Sequence, residues 1–238
     1  MQLEVKDLNT FYGPVHVLRG ISLAVDKGEI VALLGRNGMG KSTTLKSIIG
    51  LVRPKSGQVI FEGKDVTGLP PFKVAREGIG YVPEERRIFP TLTVIENLKM
   101  GIKGGKEGDP NDPYTWTMER VFAHFPKLKE RANSQGRFLS GGEQQMLTIA
   151  RSLMGNPHLL LVDEPTEGLA PLMVQEVRDM LAEINKAGVS ILLVEHNLKV
   201  ALSLANRVYL MGKAHIGYSG TIEEFKNAPE VRAKYLEV

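Results

Sequence analysis

The sequence predicts an α/β fold: a mixed sheet core flanked by helices, interrupted by an inserted α-helical subdomain and carrying a small antiparallel β portion. Three observations predict it. Short, continuous apolar runs recur at 28–35, 79–82, 159–162 and 191–194, the pattern of strands buried on both faces of a parallel sheet. Helical patterns lie between them, and such alternation argues for α/β architecture. From 91 to 155 the strand signal fades and amphipathic helices take over, which marks an insertion.

The elements follow in chain order. The run 28–35 ends in glycine and passes through a Gly-rich turn into a helical pattern at 41–49, with Leu45, Ile48 and Ile49 on one side and Gly50 placed to end it. Residues 59–61, before Glu62-Gly63, and 208–211, before Gly212-Lys213, have the form of antiparallel pieces flanked by turns. Within the insertion, Thr93 and Glu96 form a capping box at the start of the helix holding Ile95 and Leu98, and Thr221 with Glu224 forms another near the C-terminus. The stretch 104–113, rich in Gly, Asp and Pro, is expected to be a flexible surface connection. Residues 1–238 are therefore expected to form one domain, with 1–90 and 156–238 as the α/β core and 91–155 as the helical subdomain.

Composition narrows the function classes. With 42% hydrophobic and 24% charged residues in 238, the chain can bury a substantial core. A net charge of +3 is too small an excess to imply nucleic-acid binding, so no nucleic-acid partner is expected. Cysteine is absent, which excludes thiol redox chemistry and cysteine-ligated metals. Residues 1–8 lack the basic start and apolar run of a secretory signal, so a cytoplasmic location is expected. No apolar run approaches the roughly 18 residues of a membrane span, and any membrane role must come through a partner.

The turn after 28–35 carries the chemistry. Gly35-Arg36-Asn37-Gly38-Met39-Gly40-Lys41-Ser42 matches G-x-x-x-x-G-K-[ST] and lies between a strand and a helix, as a phosphate loop requires. Glycines let successive backbone N–H groups turn around phosphate oxygens, and the helix N-terminus adds its positive dipole end. Lys41 then reaches the β- and γ-phosphates, Ser42 coordinates magnesium, and Thr43 contacts the α-phosphate. The run 159–162 leads into Asp163-Glu164, two carboxylates at the C-terminal end of a buried strand, where ligands collect in open α/β sheets. Asp163 suits the water shell of magnesium, and Glu164 suits polarisation of an attacking water.

A second motif, Leu139-Ser140-Gly141-Gly142-Glu143-Gln144-Gln145, opens an apolar-periodic helix. Ser140 and Glu143 suffice as a capping box, but two glycines ahead of a helix dipole also make an anion site. Followed by the 159–164 run, this motif resembles the signature of ABC ATPases, with a P-loop NTPase core, and the resemblance covers nearly the whole chain. It implies that Ser140, Gly141 and Gly142 face the γ-phosphate held by an opposite subunit, so that a head-to-tail dimer, with itself or a related ATPase, closes two ATP sites. It likewise implies that Tyr12 stacks on adenine and that His196, just after 191–195, contacts the γ-phosphate. Glu84 stands where a glutamine is usual; a carboxylate there still accepts from the water shell of magnesium but cannot donate when ionised. Ala170 stands where the family usually has an aspartate.

The stretch from Val82 to Val94 (Val-Pro-Glu-Glu-Arg-Arg-Ile-Phe-Pro-Thr-Leu-Thr-Val), together with 165–171, is similar to the second ATPase subunit of bacterial branched-chain amino-acid importers. That similarity implies ATP and Mg²⁺ as ligands, two permease subunits, indirectly a periplasmic binding protein, and a peripheral place on the inner face of the membrane. The apolar cluster Ile88, Phe89, Pro90 and Leu92 either receives a short permease helix or packs the subdomain against the core. Three other classes share some of these motifs. A kinase would need an acceptor pocket, a non-transport ABC protein would show salt-sensitive nucleic-acid binding, and a lipopolysaccharide exporter would have the same catalytic core.

Overall fold

The computed structural model describes residues 1–105, 108–109, 112 and 115–236. Half of the polar stretch 104–113, where a flexible connection is expected, therefore lies outside the described residues. Two strands open the chain, β1 (Leu3–Tyr12) and β2 (Val15–Val25), paired antiparallel with Leu3 opposite Val25 and Tyr12 opposite Val15. The sequence pattern does not announce this hairpin, because register shifts after Val5, Leu8 and Thr10 interrupt the two-residue period.

β3 (Ile30–Gly35) leads through the glycine turn into α1 (Lys41–Ile48), which stops where Gly50 takes φ +82°. β4 (Ser56–Phe61) and β5 (Lys64–Asp65) join the hairpin in an antiparallel sheet ordered β2-β1-β4-β5. After α2 (Pro71–Arg76) and β6 (Ile79–Val82), the described residues form the α-helices α3 (Val94–Lys99), α4 (Met118–His124), α5 (Pro126–Glu130) and α6 (Gly141–Leu153). The alternation resumes with β7 (Leu159–Asp163), α7 (Pro171–Lys186), β8 (Ser190–Val194), α8 (Leu198–Leu204) and β9 (Arg207–Gly212). Last come β10 (His215–Thr221), α9 (Ile222–Lys226) and α10 (Pro229–Leu236). Capping boxes stand where the sequence puts them, at Thr93–Glu96, Ser140–Glu143 and Thr221–Glu224.

The second sheet is ordered β10-β9-β3-β8-β7-β6 and is parallel except at β10. Residues 208–211, expected as an antiparallel piece, are antiparallel to β10 but parallel to β3, so they belong to the main sheet. Val208, Tyr209, Leu210 and Met211 are all buried, which requires cover on both faces. That unbroken apolar run is the sequence signal of the inner position.

Alternate side chains of each central strand enter different cores. Val31 and Leu33 pack with β1, β2, α1 and β4, whereas Ala32 and Leu34 pack with α8, α9 and α10. Leu160, Val162, Ile191 and Leu193 face α3 to α7. Register then aligns the strand ends, since Leu33 lies beside Val194 and Val194 beside Asp163. The loops leaving β3, β7 and β8 consequently meet at one edge of the sheet, the carboxyl edge where α/β folds bind ligands.

Candidate active site

The loop after β3 is shaped by glycines whose backbone other residues rarely adopt. Gly35, Gly38 and Gly40 have φ of +150°, +77° and +100°, and a Cβ at Gly35 would stand 2.5 Å from the carbonyl oxygen of Met211. Gly40 is the N-cap of α1 and offers no side-chain acceptor, so the first amides of the helix are left for a ligand. Val17, Asn37, Gly38, Gly40, Lys41, Ser42, Thr43, Glu84 and Glu164 line a cavity of about 360 Å³ above this loop.

Charge is concentrated around that cavity. Lys41, only 4% exposed, donates from Nζ to the carbonyl oxygens of Gly35 (3.0 Å) and Arg36 (3.2 Å) and lies 3.8 Å from Glu164 Oε1. Burial lowers the Lys41 pKa, and the carboxylates of Glu164, Asp163, Glu84 and Glu195 oppose the shift. Asp163 is fully buried; Ser42 Oγ donates to its Oδ1 at 2.8 Å and the Tyr81 hydroxyl to its Oδ2 at 3.2 Å. Burial raises the Asp163 pKa despite those two donors. Glu164, 11% exposed, is also raised by burial, against the pull of His196 and Lys41.

Glu164 follows β7 with φ +45°, a left-handed conformation that costs a non-glycine residue about 1–2 kcal/mol. Its own N–H donates to Val194 O at 2.9 Å, which holds the strained turn against β8. Its Oε1 lies 2.7 Å from His196 Nε2. A contact that short between imidazole and carboxylate holds one proton between them, so the 3.4 Å approach of Lys41 Nζ to the same nitrogen is a secondary contact.

Ser42, in the cavity wall, and Asp163, buried and bonded to it, bring two hard oxygens within 2.8 Å of each other. Among the described residues no group of three His, Cys, Asp or Glu side chains is assembled into a cage. That donor set fits Mg²⁺, which binds through one or two protein oxygens and takes its remaining ligands from phosphates and water.

Not every residue singled out by the sequence lies in the cavity wall. Tyr12 stands at the tip of the β1–β2 hairpin, 46% exposed. Arg36 lines a smaller recess with Glu195, His196, Leu198 and Leu236, and Met39 packs its side chain on the core beneath the loop. Ser140, Gly141 and Gly142 are elsewhere, at the start of α6. A Cβ on Gly141 would meet Arg86 Nη1 at 2.5 Å, and one on Gly142 would meet Met173 Cε at 2.1 Å. Their place under Arg86 and Met173 fills no part of the phosphate cavity.

Four further residues contribute that no motif marks: Val17 forms one wall, Tyr81 bonds Asp163, and Glu195 with Thr166 ties two loops together. Glu195 does carry a signal, an acid directly after an apolar strand, as at Asp163.

Residues 18–167 match the family model described as "ABC transporter". The chain is 43% identical over 234 residues to the high-affinity branched-chain amino acid transport ATP-binding protein BraG of Pseudomonas aeruginosa, covering 98% of this chain and 99% of BraG. It is 35% identical over 234 residues to the lipopolysaccharide export system ATP-binding protein LptB of Haemophilus influenzae, covering 98% and 96% of the two chains. A crystal structure of a nucleotide-free ATP-binding cassette from an ABC transporter superposes with a TM-score of 0.84 at 28% identity, covering 96% of this chain and 95% of the other.

Proposed function

The chain belongs to the ABC transporter ATPase family, and from that premise we propose that it energises uptake of branched-chain amino acids through a membrane permease. The observation that supports the chemistry is that Lys41, Ser42 and Glu164 line one glycine-walled cavity, with Asp163 bonded to Ser42 and His196 in contact with Glu164 and Lys41. The cargo rests on the similarity to BraG, higher than that to LptB.

In this reading the amides of the loop and the start of α1 receive the phosphates of ATP. Lys41 exchanges the carbonyls of Gly35 and Arg36 for phosphate oxygens, and Tyr12 stacks on the adenine. Ser42 and Asp163 hold Mg²⁺, with Glu84 reaching its water shell; the bound ion supplies neutralisation of phosphate charge. Glu164 accepts a hydrogen bond from the attacking water and orients it, while His196 holds the proton shared with Glu164 and contacts the γ-phosphate. Ser140, Gly141 and Gly142 complete the site of a second copy or a related ATPase, because they contribute nothing to the cavity of their own chain.

Among the described residues no helix is long and apolar enough to cross a membrane. The similarity to BraG supports a place at the inner face of the membrane, held there by a permease. A cleft lined in part by Leu51, Phe72, Phe89 and Met100, all exposed, is where a permease helix docks. The test is deletion of the chain from its host, followed by uptake of labelled leucine, isoleucine and valine. Loss of uptake restored by wild type but not by Lys41→Ala supports the proposal. Unchanged uptake with a fall in surface lipopolysaccharide assigns the cargo to export instead.

A further inference from the structure

Glu195 is a buried carboxylate, 3% exposed, to which the chemistry above gives no part. It sits where β8 gives way to the loop of His196. Its Oε1 accepts the backbone N–H groups of His196 (2.8 Å) and Asn197 (2.9 Å), and its Oε2 accepts from Thr166 Oγ1 (2.8 Å). One carboxylate thus joins two loops, the one leaving β7 with Glu164 and the one leaving β8 with His196.

A second tie lies at the base of the same pair, where Glu164 N–H donates to Val194 O. Together the ties bracket the 2.7 Å contact between His196 Nε2 and Glu164 Oε1. Burying a carboxylate is costly unless donors satisfy it, and hydrogen bonds to an ionised acceptor are the strong ones. The two amide bonds shape the His196 loop around Glu195 and the Thr166 bond ties that loop to the one holding Glu164, where packing alone holds less because the His196 side chain is partly open to solvent. Small displacements matter at this point, because proton sharing and water orientation both depend on sub-ångström placement.

We infer that Glu195, anchored by Thr166, is a positioning residue that sets the geometry between His196 and Glu164. The inference rests on the reading of those two residues as the hydrolytic pair. Glu195 touches neither the phosphate cavity wall nor the attacking water; it acts through the two loops. A rival role is electrostatic, since its charge also helps keep Lys41 protonated. The two roles separate at Glu195→Gln. The amide oxygen accepts the two backbone N–H groups, the amide NH₂ donates to Thr166 Oγ1, and the charge is gone.

The experiment uses the full chain with Glu195→Ala, Glu195→Gln and Thr166→Val, and with Glu164→Gln and His196→Ala as controls. MgATP hydrolysis is resolved into kcat and KM, folding is checked by thermal melting, and amide hydrogen exchange at His196 and Asn197 is followed by NMR. For Glu195→Ala, kcat falls about 10- to 100-fold with KM within about twofold of wild type. The two amides exchange at least about tenfold faster. Glu195→Gln restores both exchange protection and kcat to within about threefold of wild type. Thr166→Val lowers kcat less, and combining it with Glu195→Ala adds nothing further, the mark of a shared interaction.

Wild-type kcat in Glu195→Ala overturns the inference. So does an equal loss in Glu195→Ala and Glu195→Gln, which assigns the effect to charge on Lys41, or a rise in KM alone. Should Glu195→Ala fail to fold, Thr166→Val decides: wild-type kcat with unaltered exchange at His196 refutes the tie. If Glu164→Gln and His196→Ala both hydrolyse ATP normally, the reading of the pair is wrong whatever Glu195 does. If those controls lose activity and Glu195→Ala does not, only the present inference falls.

Discussion

Replacing Glu164 by Gln removes one negative charge and one proton acceptor while leaving the shape of the cavity unchanged. Two effects of opposite sign follow. A group that orients and polarises the attacking water is worth about 10²- to 10⁴-fold, so kcat should fall by that factor, about 3–5 kcal/mol on the barrier. Binding should tighten, because Glu164 competes with phosphate for Lys41. At 3.8 Å and an effective dielectric constant of about 20, the gross attraction between Lys41 and Glu164 is about 4 kcal/mol. Burial still lowers the pKa of Lys41 against four carboxylates, so the net attraction is smaller than the gross. A gain of about tenfold in ATP affinity, about 1.4 kcal/mol, is the expected remainder. The assay is MgATP turnover with nucleotide titration, alongside size-exclusion chromatography with and without ATP. A variant that stops hydrolysing and elutes as an ATP-held dimer supports both the role of Glu164 and the shared site at Ser140–Gly142. Undiminished turnover refutes Glu164 as the carboxylate that orients water, and weakened ATP binding refutes the competition argument.

Three further outcomes are expected. Asp163 has its pKa raised by burial, so the folded state holds its proton more tightly than the unfolded chain; its contribution to stability is full below the ordinary carboxylate range and is lost as pH rises through the raised value. Asp163→Asn, whose amide can still meet Ser42 and Tyr81, should therefore melt higher than wild type at pH 7 without ligand, with the difference vanishing in acid, as thermal melts across pH will show. Ala170 is the N-cap of α7 and supplies no side-chain acceptor, so Ala170→Asp should add about 1 kcal/mol, or about 2–4 °C in Tm, measured by calorimetry. Phe89 is 42% exposed beneath the guanidinium of Arg151, so Phe89→Asp should shift Tm by less than about 2 °C while abolishing co-purification with the permease; retained co-purification would show that Phe89 is not in the docking surface.

The main sheet was legible because its strands are buried on both faces, and continuous apolar runs such as 159–162 survive without context. The N-terminal hairpin was not, since its bulges place Asp7 at φ +46° and break the alternation that marks a half-buried strand. At the site, backbone chemistry was readable: glycine spacing announced the loop, and Asp163-Glu164 announced the strand end. Contacts between distant segments were less so. Tyr81 reaches Asp163 only because β6 pairs with β7 in a particular register, and no pattern local to Tyr81 records it. Ser140 to Gly142 show the converse case, a motif whose helix cap is visible in one chain but whose proposed ligand comes with another.

The left-handed turn at Glu164 bears on how this protein can evolve and be engineered. Glycine or asparagine would occupy that conformation with less strain and without a carboxylate to bury, so a library of variants screened only for survival at high temperature should become enriched in Gly or Asn at position 164. Those survivors would be thermally hardened and hydrolytically dead. Screening for heat tolerance without a turnover assay would thus select against the residue proposed to drive transport.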